Sequence, residues 1–268
     1  MFTLLLKQWA LTPFQNRRLL HNFVRQDFFI QFAGSLGGFL WLFVTPIVHI
    51  IVYSFVFSYI FQVRAVAEFG ETQFVIFMMI GYLPWFAFAD AVSKSTGLLL
   101  EKAPLITKVM FPVQIIPVVG TMVPYLTHVI GFSLLLVYLS LQGYFSLNWL
   151  FIPFIFFLQF LFTMGIVSVL SALCVFLRDL QQLVALMVMI WFFLTPIIYP
   201  ISMISNPAVQ ELYLFNPMHS FVNLYREIIL LDNVPMEHFK IIIPVSIISY
   251  IFGGWLFMKL KPAFGDVL

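Results

Sequence analysis

Side chains capable of acid–base or metal chemistry are few in this sequence and lie far apart. His49, Asp90 and His128 each sit inside a long apolar stretch. An ionisable group in such a stretch is a candidate functional residue, because an unpartnered charge is costly there. A neutral histidine bonded to a backbone carbonyl of the next helix explains these positions equally well, so both interpretations stay open.

Motifs of catalysis and of nucleotide binding are missing from the sequence. There is no Asp-x-Asp pair, no His-Glu-x-x-His motif and no Gly-x-x-x-x-Gly-Lys-[Ser/Thr] phosphate-binding loop. The adjacent Glu237 and His238 do not suffice for a catalytic site. A secondary carrier would be expected to show internal repeats. No repeated motif relates the two halves of this sequence. We therefore expect no catalytic residue, no metal site and no cofactor in this chain.

Long charge-free runs predict a membrane protein. Residues 109–177 contain no Asp, Glu, Lys or Arg over 69 positions. At about 1.5 Å per residue this run is too long for one crossing of a hydrocarbon layer about 30 Å thick. The turn residues at 142–148 divide it into two spans. Apolar residues make up 62% of the chain and charged residues 9%, with a mean hydropathy of +1.04, which excludes an ordinary soluble domain. The net charge of +2 is too small to suggest a nucleic-acid partner.

The charge-free runs predict six transmembrane helices. They are continuously apolar and do not alternate with period two, which favours helices over a barrel. The expected fold is an all-α integral membrane protein with an N-terminal amphipathic interface helix and a re-entrant periplasmic helix pair between helices five and six. The expected spans are residues 36–61, 72–89, 112–141, 149–177, 180–200 and 241–258.

Basic residues predict the orientation of these spans. With both termini in the cytoplasm, the inner segments hold ten Lys and Arg residues and the outer segments hold three. The outer three are Arg64, Arg226 and Lys240. This excess follows the positive-inside rule.

Residues 16–30 predict an amphipathic helix lying in the inner interface. Its apolar arc includes Leu19, Leu20 and Phe23, and its other face is basic. Asp27 falls within the apolar arc. It is either a carboxylate that reaches the headgroup layer or half of an ion pair that locks the helix to an inner-side cation.

Two further segments are expected not to span. Residues 93–109 form a short inner loop with exposed apolar residues, either a simple connector or a docking surface for a partner protein. Residues 201–240 are too apolar for a free loop, and Asn206-Pro207 and Asn216-Pro217 break them into short pieces. Two short helices dipping in from the outside fit this pattern, and such an element must line a cavity or be buried in protein.

Short motifs along nearly the whole chain resemble those of bacterial polysaccharide-export permeases of the ABC-2 class. The ending resembles that of lipopolysaccharide O-antigen exporters, and capsule and teichoic-acid permeases share much of the pattern. The motifs are Arg25-x-Asp27, Gly34-Ser35-Leu36-Gly37, residues 41–46, Gly81-Tyr82-Leu83-Pro84-Trp85-Phe86, residues 104–112, Leu177-Arg178-Asp179-Leu180, Thr195-Pro196-Ile197-Ile198-Tyr199-Pro200, Asn216-Pro217-Met218 and residues 260–268.

This resemblance implies a channel-forming transmembrane subunit of an ATP-driven exporter. Two copies would form a conduit in the bacterial inner membrane for a polyprenyl-pyrophosphate-linked glycan. A dimer of a separate ATPase would bind ATP and Mg. Residues 1–268 would be a single ABC-2 permease domain. Its parts would be a cytoplasmic interface helix (1–31), transmembrane helices one to five (34–200), a periplasmic re-entrant gate (201–240), transmembrane helix six (241–260) and a cytoplasmic tail (261–268).

The resemblance also suggests roles for particular residues. Aromatic rings offer flat surfaces to the C–H faces of sugars, although most rings of such a chain face lipid or fill the core. Inner-side arginines suit either a pyrophosphate headgroup or anionic lipid. The residues that contact the ATPase would be Glu101, Lys102, Leu105 and Lys108, and the channel would be lined by Trp41, Tyr53, Trp191, Phe192 and Tyr199. The cytoplasmic entrance would carry Arg17, Arg18, Arg25 and Arg178. The polar residues inside the membrane would be His49, Asp90 and His128.

Other function classes remain as alternatives to O-antigen export. A capsular polysaccharide or teichoic-acid permease is the nearest of them. A drug-exporting ABC-2 permease and a membrane-embedded enzyme acting on lipid-linked sugars are more distant, the last because the sequence lacks a clustered set of acids.

Overall fold

The charge-free runs of the sequence become the long helices of the fold. The computed structural model describes residues 2–62, 65–66, 72–109 and 111–268. The helices are α1 (Phe2–Gln15), α2 (Arg17–Ile30), α3 (Trp41–Tyr53), α4 (Phe74–Ser95), α5 (Leu98–Glu101), α6 (Ala103–Lys108), α7 (Ile115–Leu141), α8 (Ile152–Phe176), α9 (Leu180–Leu194), α10 (Pro207–Tyr213), α11 (Pro217–Leu230), α12 (Met236–Leu260) and α13 (Phe264–Val267). The strands β1 (Ala65–Val66) and β2 (Thr72–Gln73) form a two-residue antiparallel ladder. Arg64, counted above among the outer cations, lies outside the described residues.

Five helical stretches are long and apolar enough to cross a membrane. They confirm the first, second, third, fourth and sixth predicted spans. In the first, α3 continues through a π-helical segment, Ser54–Ile60. The protein is therefore a helical membrane protein. The stretches are Gly38–Phe57, Phe74–Ser95, Ile115–Leu141, Leu147–Phe176 and Met236–Val267.

The fifth predicted helix ends earlier than the sequence suggests. Helix α9 stops at Leu194, six residues before the predicted end at residue 200. Thr195 adopts an extended conformation (φ −105°, ψ 128°) because the ring of Pro196 disfavours the helical region for the residue before it. The Thr195 hydroxyl donates to the Trp191 carbonyl at 2.9 Å, which satisfies one acceptor of the last turn. At about 1.5 Å per residue the 15 residues of α9 reach only about 22 Å.

Helix α4 occupies the centre of the bundle, and the first span lies at its edge. Of the α4 span 89% is buried, against 6% of the Gly38–Phe57 span. Helices α8 and α12 pack closely where Gly165 meets Gly253 and Ser249. A Cβ atom on Gly165 would overlap the Ser249 carbonyl. Close approach at small residues is a common way for membrane helices to associate.

The N-terminal region contains two helices where one was predicted. Helix α2 confirms the predicted helix at 16–30, and its Val24 packs on α7 against Val119 and Val123. Helix α1 was not predicted. Its Trp9 is 1% exposed and fits against Gly254 of α12, where a Cβ atom would collide with the indole ring.

The segment between α9 and α12 contains the two short helices expected from its proline breaks. Asn206 and Asn216 cap α10 and α11, accepting hydrogen bonds from the backbone amides of Ala208 and Met218. Helix α11 is largely buried and packs against α4, α8 and α12. This end of the bundle is called the α11 end below, and the opposite end, which carries α2, α5 and α6, the α5 end.

Candidate functional site

An ion pair joins α2 to the loop between α4 and α7 at the α5 end. The Lys102 ammonium donates to both Asp27 carboxylate oxygens, at 2.9 Å to Oδ1 and 2.7 Å to Oδ2. The two side chains are 16% and 24% exposed. The ammonium also lies 5.1 Å from the centroid of the Phe23 ring. The ion-pair interpretation of Asp27 is thus confirmed.

The four predicted coupling residues differ in their surroundings. Glu101 and Lys108 are exposed, Leu105 is half-buried, and Lys102 is engaged with Asp27. Lys102 also forms the break between α5 and α6, with φ −101° and ψ 15°. Two charged groups of the loop, those of Glu101 and Lys108, are therefore available at its surface.

The expectation that this loop exposes its apolar residues is wrong for its first half. Leu98 and Leu99 are 7% and 1% exposed. Helix α5 turns them into the bundle, where Leu98 fits against Gly120 of α7. Val109, at the end of the loop, is 58% exposed.

A cavity of about 560 Å³ opens beside the ion pair, bounded by α2, α4, α5, α7 and α9. Its cationic side chains are Lys94 and Lys102, and its acidic ones are Asp27 and Glu101. Sequence reasoning did not select Lys94, although its place in the last turn of α4 gave a signal. With cationic and acidic side chains together, the cavity can bind both anionic and cationic groups.

The predicted entrance arginines do not line this cavity. Arg17, Arg18, Arg25 and Arg178 are all exposed on the surface. The Arg25 guanidinium lies 5.6 Å from the centroid of the Phe29 ring. The structure therefore leaves these cations spread over the surface of the α5 end and does not gather them at the cavity.

The predicted lining residues of the first span, Trp41 and Tyr53, stand at the two ends of α3, about 18 Å apart at about 1.5 Å per residue. Trp41 is 49% exposed, and Tyr53 is half-buried against Tyr82, with 5.4 Å between ring centroids. The Tyr82 ring in turn lies 4.2 Å from that of Phe86. The rings of Tyr53, Tyr82 and Phe86 form a continuous aromatic surface between α3 and α4.

The predicted lining residues of the fifth helix are partly built into the core. Trp191 packs edge-on against Phe88, at 5.1 Å between centroids, and Phe192 lies 5.9 Å from Trp85. Phe193, the next residue along α9, is 56% exposed. The Tyr199 hydroxyl donates to the Phe193 carbonyl at 2.7 Å.

The three intramembrane polar residues meet in one cavity. His49, Asp90 and His128 all line a space of about 210 Å³ between α3, α4 and α7. The His128 Nε2 atom lies 2.7 Å from Asp90 Oδ2. His128 is therefore paired with a carboxylate and not with a backbone carbonyl. The His49 ring lies edge-on to Tyr82, with 5.5 Å between centroids.

Arg226 is a structural residue that sequence reasoning placed among the outer-side cations. It is 1% exposed and donates from Nε to the Phe77 carbonyl at 3.1 Å. Its Nη1 and Nη2 atoms donate to the carbonyls of Pro196 and Ile197 at 2.6 and 2.7 Å. These bonds tie α11 to α4 and to the segment after α9. The sequence indicated this burial, because Arg226 lies on the same face of α11 as the apolar residues Met218, Val222 and Ile229.

Asn216 adds a second set of bonds at the α11 end. Its Oδ1 atom caps α11 and accepts from Trp191 Nε1 at 2.9 Å, and its Nδ2 atom donates to Thr195 Oγ1 at 3.0 Å. His219 lies close by, and its pKa is lowered to about 3. The main cause is burial, and the charges of His238 and Arg226 add to it. His219 is therefore neutral at pH 7.

Comparison with known protein families gives an extensive match. The profile of the ABC-2 type transporter family matches residues 21–230. The chain belongs to the ABC-2 type transporter family. That match includes the ion pair, the cavity of His49, Asp90 and His128, and the whole of α11.

Two relatives match over almost their full length. The O-antigen export system permease protein RfbA of Myxococcus xanthus is 29% identical over 257 residues, covering 94% of this chain and 96% of the relative. The protein of the same name from Klebsiella pneumoniae is 29% identical over 252 residues, covering 93% of this chain and 95% of the relative. The similarity therefore extends beyond the family match to α12.

Proposed function

We propose that this chain is the channel-forming transmembrane subunit of an ATP-driven exporter of lipid-linked O-antigen polysaccharide. The proposal rests chiefly on the near full-length similarity to two O-antigen export permeases. The cargo would be a polyprenyl-pyrophosphate-linked glycan that crosses the bacterial inner membrane from the cytoplasm. Two copies of the chain would enclose the conduit, and a separate ATPase dimer would supply the energy.

In this proposal α9 completes a set of six spans. The helix is about 8 Å shorter than a hydrocarbon layer of about 30 Å, and the non-helical residues 195–200 that follow it would contribute to the rest of the crossing. An even number of spans places both termini on one side. The basic residues of the α5 end then face the cytoplasm, in agreement with the positive-inside rule.

Helices α10 and α11 would form the re-entrant gate. With seven and fourteen residues they measure about 10 and 21 Å, too short to cross the membrane. Irregular backbone at membrane depth is tolerated where protein satisfies its polar groups. Asn216 and Arg226 supply such bonds to the bend and to the segment after α9.

The exposed first span supports the pairing of two copies around a conduit. The Asp90 carboxylate is 45% exposed at the edge of this span, and it lies within the apolar Phe74–Ser95 stretch, five residues before its end. A carboxylate within a membrane span is costly to leave against lipid. A second copy and an aqueous conduit would cover this face and hydrate the carboxylate.

The α5–α6 loop would receive the ATPase. The Asp27–Lys102 pair fixes the loop to α2, so a force applied at Glu101 or Lys108 would be transmitted to both elements. Exposed acidic and basic groups on a short, anchored helix pair are suited to a polar docking contact.

The proposal is tested by deleting the gene in a glycan-producing bacterium and restoring it on a plasmid. We expect the deletion to abolish surface polysaccharide and to leave lipid-linked polymer inside the cell. Replacing the phosphate-loop lysine of the cognate ATPase should have the same effect. Normal surface polysaccharide in either strain would refute the proposal, and loss of a capsule or of teichoic acid instead of O-antigen would identify the alternative cargo.

A further inference from the structure

The cavity between α3, α4 and α7 has the chemistry of a carbohydrate subsite. We propose that His49, Asp90 and His128, together with the indole of Trp41, bind one uncharged pyranose ring of the passing glycan. This inference rests on the proposed function and adds a specific position at which the cargo is recognised.

The cavity lies toward the α5 end of the bundle, which places recognition near the inner mouth of the conduit. Gln31, the C-cap of α2, lines the cavity and donates from Nε2 to Thr127 Oγ1 at 3.0 Å, and Asp90 stands five residues before the end of α4. Trp41, on the neighbouring α3, is 49% exposed. A group in the conduit would therefore meet the indole and the carboxylate together.

The polar groups of the cavity match the needs of sugar hydroxyls. A carboxylate accepts hydrogen bonds, an imidazole both donates and accepts, and a phenol does either. Asp90, His49 and Tyr82 supply one of each. Because Asp90 already bonds to His128, its carboxylate is held in a fixed orientation while its second oxygen can accept from a ligand.

The apolar walls match the other surface of a sugar. Trp41 and Phe86 line the same space, and aromatic faces pack well against the C–H face of a pyranose. The volume of about 210 Å³ is suited to a single sugar ring.

Charge distinguishes this ligand from the lipid headgroup of the cargo. No lysine or arginine occurs among the described residues that line the cavity. The Asp90–His128 pair carries no net positive charge, whereas binding a pyrophosphate requires clustered cations. An acyl or polyprenyl chain would leave the carboxylate and imidazoles without partners, at a cost. A neutral, hydroxylated ring avoids both penalties.

Site-specific photocrosslinking in glycan-producing cells tests the inference. The photoreactive residue p-benzoylphenylalanine replaces Trp41, Phe193 or Phe154 of the full chain, co-produced with its ATPase. Phe193, exposed on α9 next to the predicted lining residue Phe192, would face the conduit in the proposed function, and Phe154 of α8, at 46% exposed, matches the exposure of Trp41 on another face. Glycan adducts are detected on the purified protein by periodate oxidation and hydrazide–biotin labelling.

We expect adducts at Trp41 and Phe193 and at least tenfold fewer at Phe154. Adducts at Phe193 without any at Trp41 would overturn the subsite while leaving the export function standing. Equal adducts at all three positions would also overturn it, because contact would then be unspecific. An absence of adducts at every position would refute the proposed function itself.

Three substitutions in the Trp41 crosslinking background separate hydroxyl recognition from a purely structural role. Asp90→Asn keeps hydrogen-bonding atoms and should retain adduct yield within threefold, whereas Asp90→Leu should lower it at least tenfold. His49→Leu leaves the Asp90–His128 bond intact and should lower the yield about fivefold. Each variant is compared at equal amounts of dimer after size-exclusion chromatography. Unchanged yield in His49→Leu, or equal loss in both Asp90 variants, would overturn the inference.

Discussion

The ion pair between Asp27 and Lys102 makes a measurable contribution to stability, because it links two segments 75 residues apart. Exposed ion pairs contribute about 0.2–1 kcal/mol, whereas breaking a buried pair costs about 3–5 kcal/mol. With side chains 24% and 16% exposed and two bonds of 2.7 and 2.9 Å, this pair lies between those cases. We expect a coupling free energy of about 2 kcal/mol, which follows from intermediate burial.

A double-mutant cycle measures this coupling. Asp27→Asn, Lys102→Met and the double variant are purified in detergent, and thermal unfolding is followed by circular dichroism. For a chain of this size, a loss of about 2 kcal/mol in the free energy of unfolding should lower the Tm of each single variant by about 4–8 °C. The double variant should lose little more than either single one, and exchanging the two residues should recover most of the loss.

Arg25→Gln is the matched control for this cycle, because it removes an exposed charge from the same helix and should shift the Tm by less than about 1 °C. Salt should weaken the Asp27–Lys102 coupling only in part, since a half-buried pair is incompletely screened. If the two single effects simply add, within about 0.5 kcal/mol, the pair does not hold α2 to the loop and the reasoning fails.

Three further predictions concern the packing and charge of the bundle. Gly165→Ala should destabilise the protein by about 1–3 kcal/mol in the same thermal assay, because the added Cβ meets the α12 backbone. Arg226→Met should cost about 3 kcal/mol, since three carbonyls lose charged donors worth about 1.5–3 kcal/mol each, partly offset by easier burial. Stability should also fall on acidification: His219 binds a proton less readily when folded (pKa about 3) than when unfolded (6.5), so its contribution is complete above pH 6.5 and declines towards pH 3. From pH 7 to pH 5 the loss is about 2 kcal/mol.

Each of these changes has a control in the same chain. Gly265→Ala adds a Cβ that meets no atom within 4 Å, so it should be neutral. Arg178→Met removes an exposed arginine and should cost less than about 0.5 kcal/mol. His219→Gln should abolish its share of the pH dependence. Equal destabilisation in a control and its partner, or an unchanged acid profile in His219→Gln, would contradict the corresponding explanation.

The spans were predictable because the hydrocarbon layer requires nearly every residue of a crossing helix to be uncharged. Charge-free runs located the five stretches, with ends that differ by up to nine residues, and Asn-Pro pairs located α10 and α11. The end of α9 was misplaced because residues 195–200 are as apolar as a helix, while Pro196 dictates extended backbone at Thr195.

Contacts between distant segments were harder to predict than the spans. A carboxylate on an apolar arc left two interpretations of Asp27 open, a contact with the headgroup layer or an ion pair, and only the fold showed the ion pair with Lys102. The pairing of Asp90 with His128 depends on the relative height of α4 and α7, which no local pattern encodes. Helix α1 was missed because Lys7 and Pro13 interrupt its sequence, and its stability comes from Trp9 against α12.

The uneven burial of the bundle has a consequence for how such a protein diversifies. Within one chain, replacing a residue on the first span changes few internal contacts, whereas replacing one on α4 disturbs the centre of the molecule. Surface substitutions usually change stability by less than about 0.5 kcal/mol. Mutations along the first span can therefore accumulate, altering what the protein accommodates, without cost to the folding of the single chain.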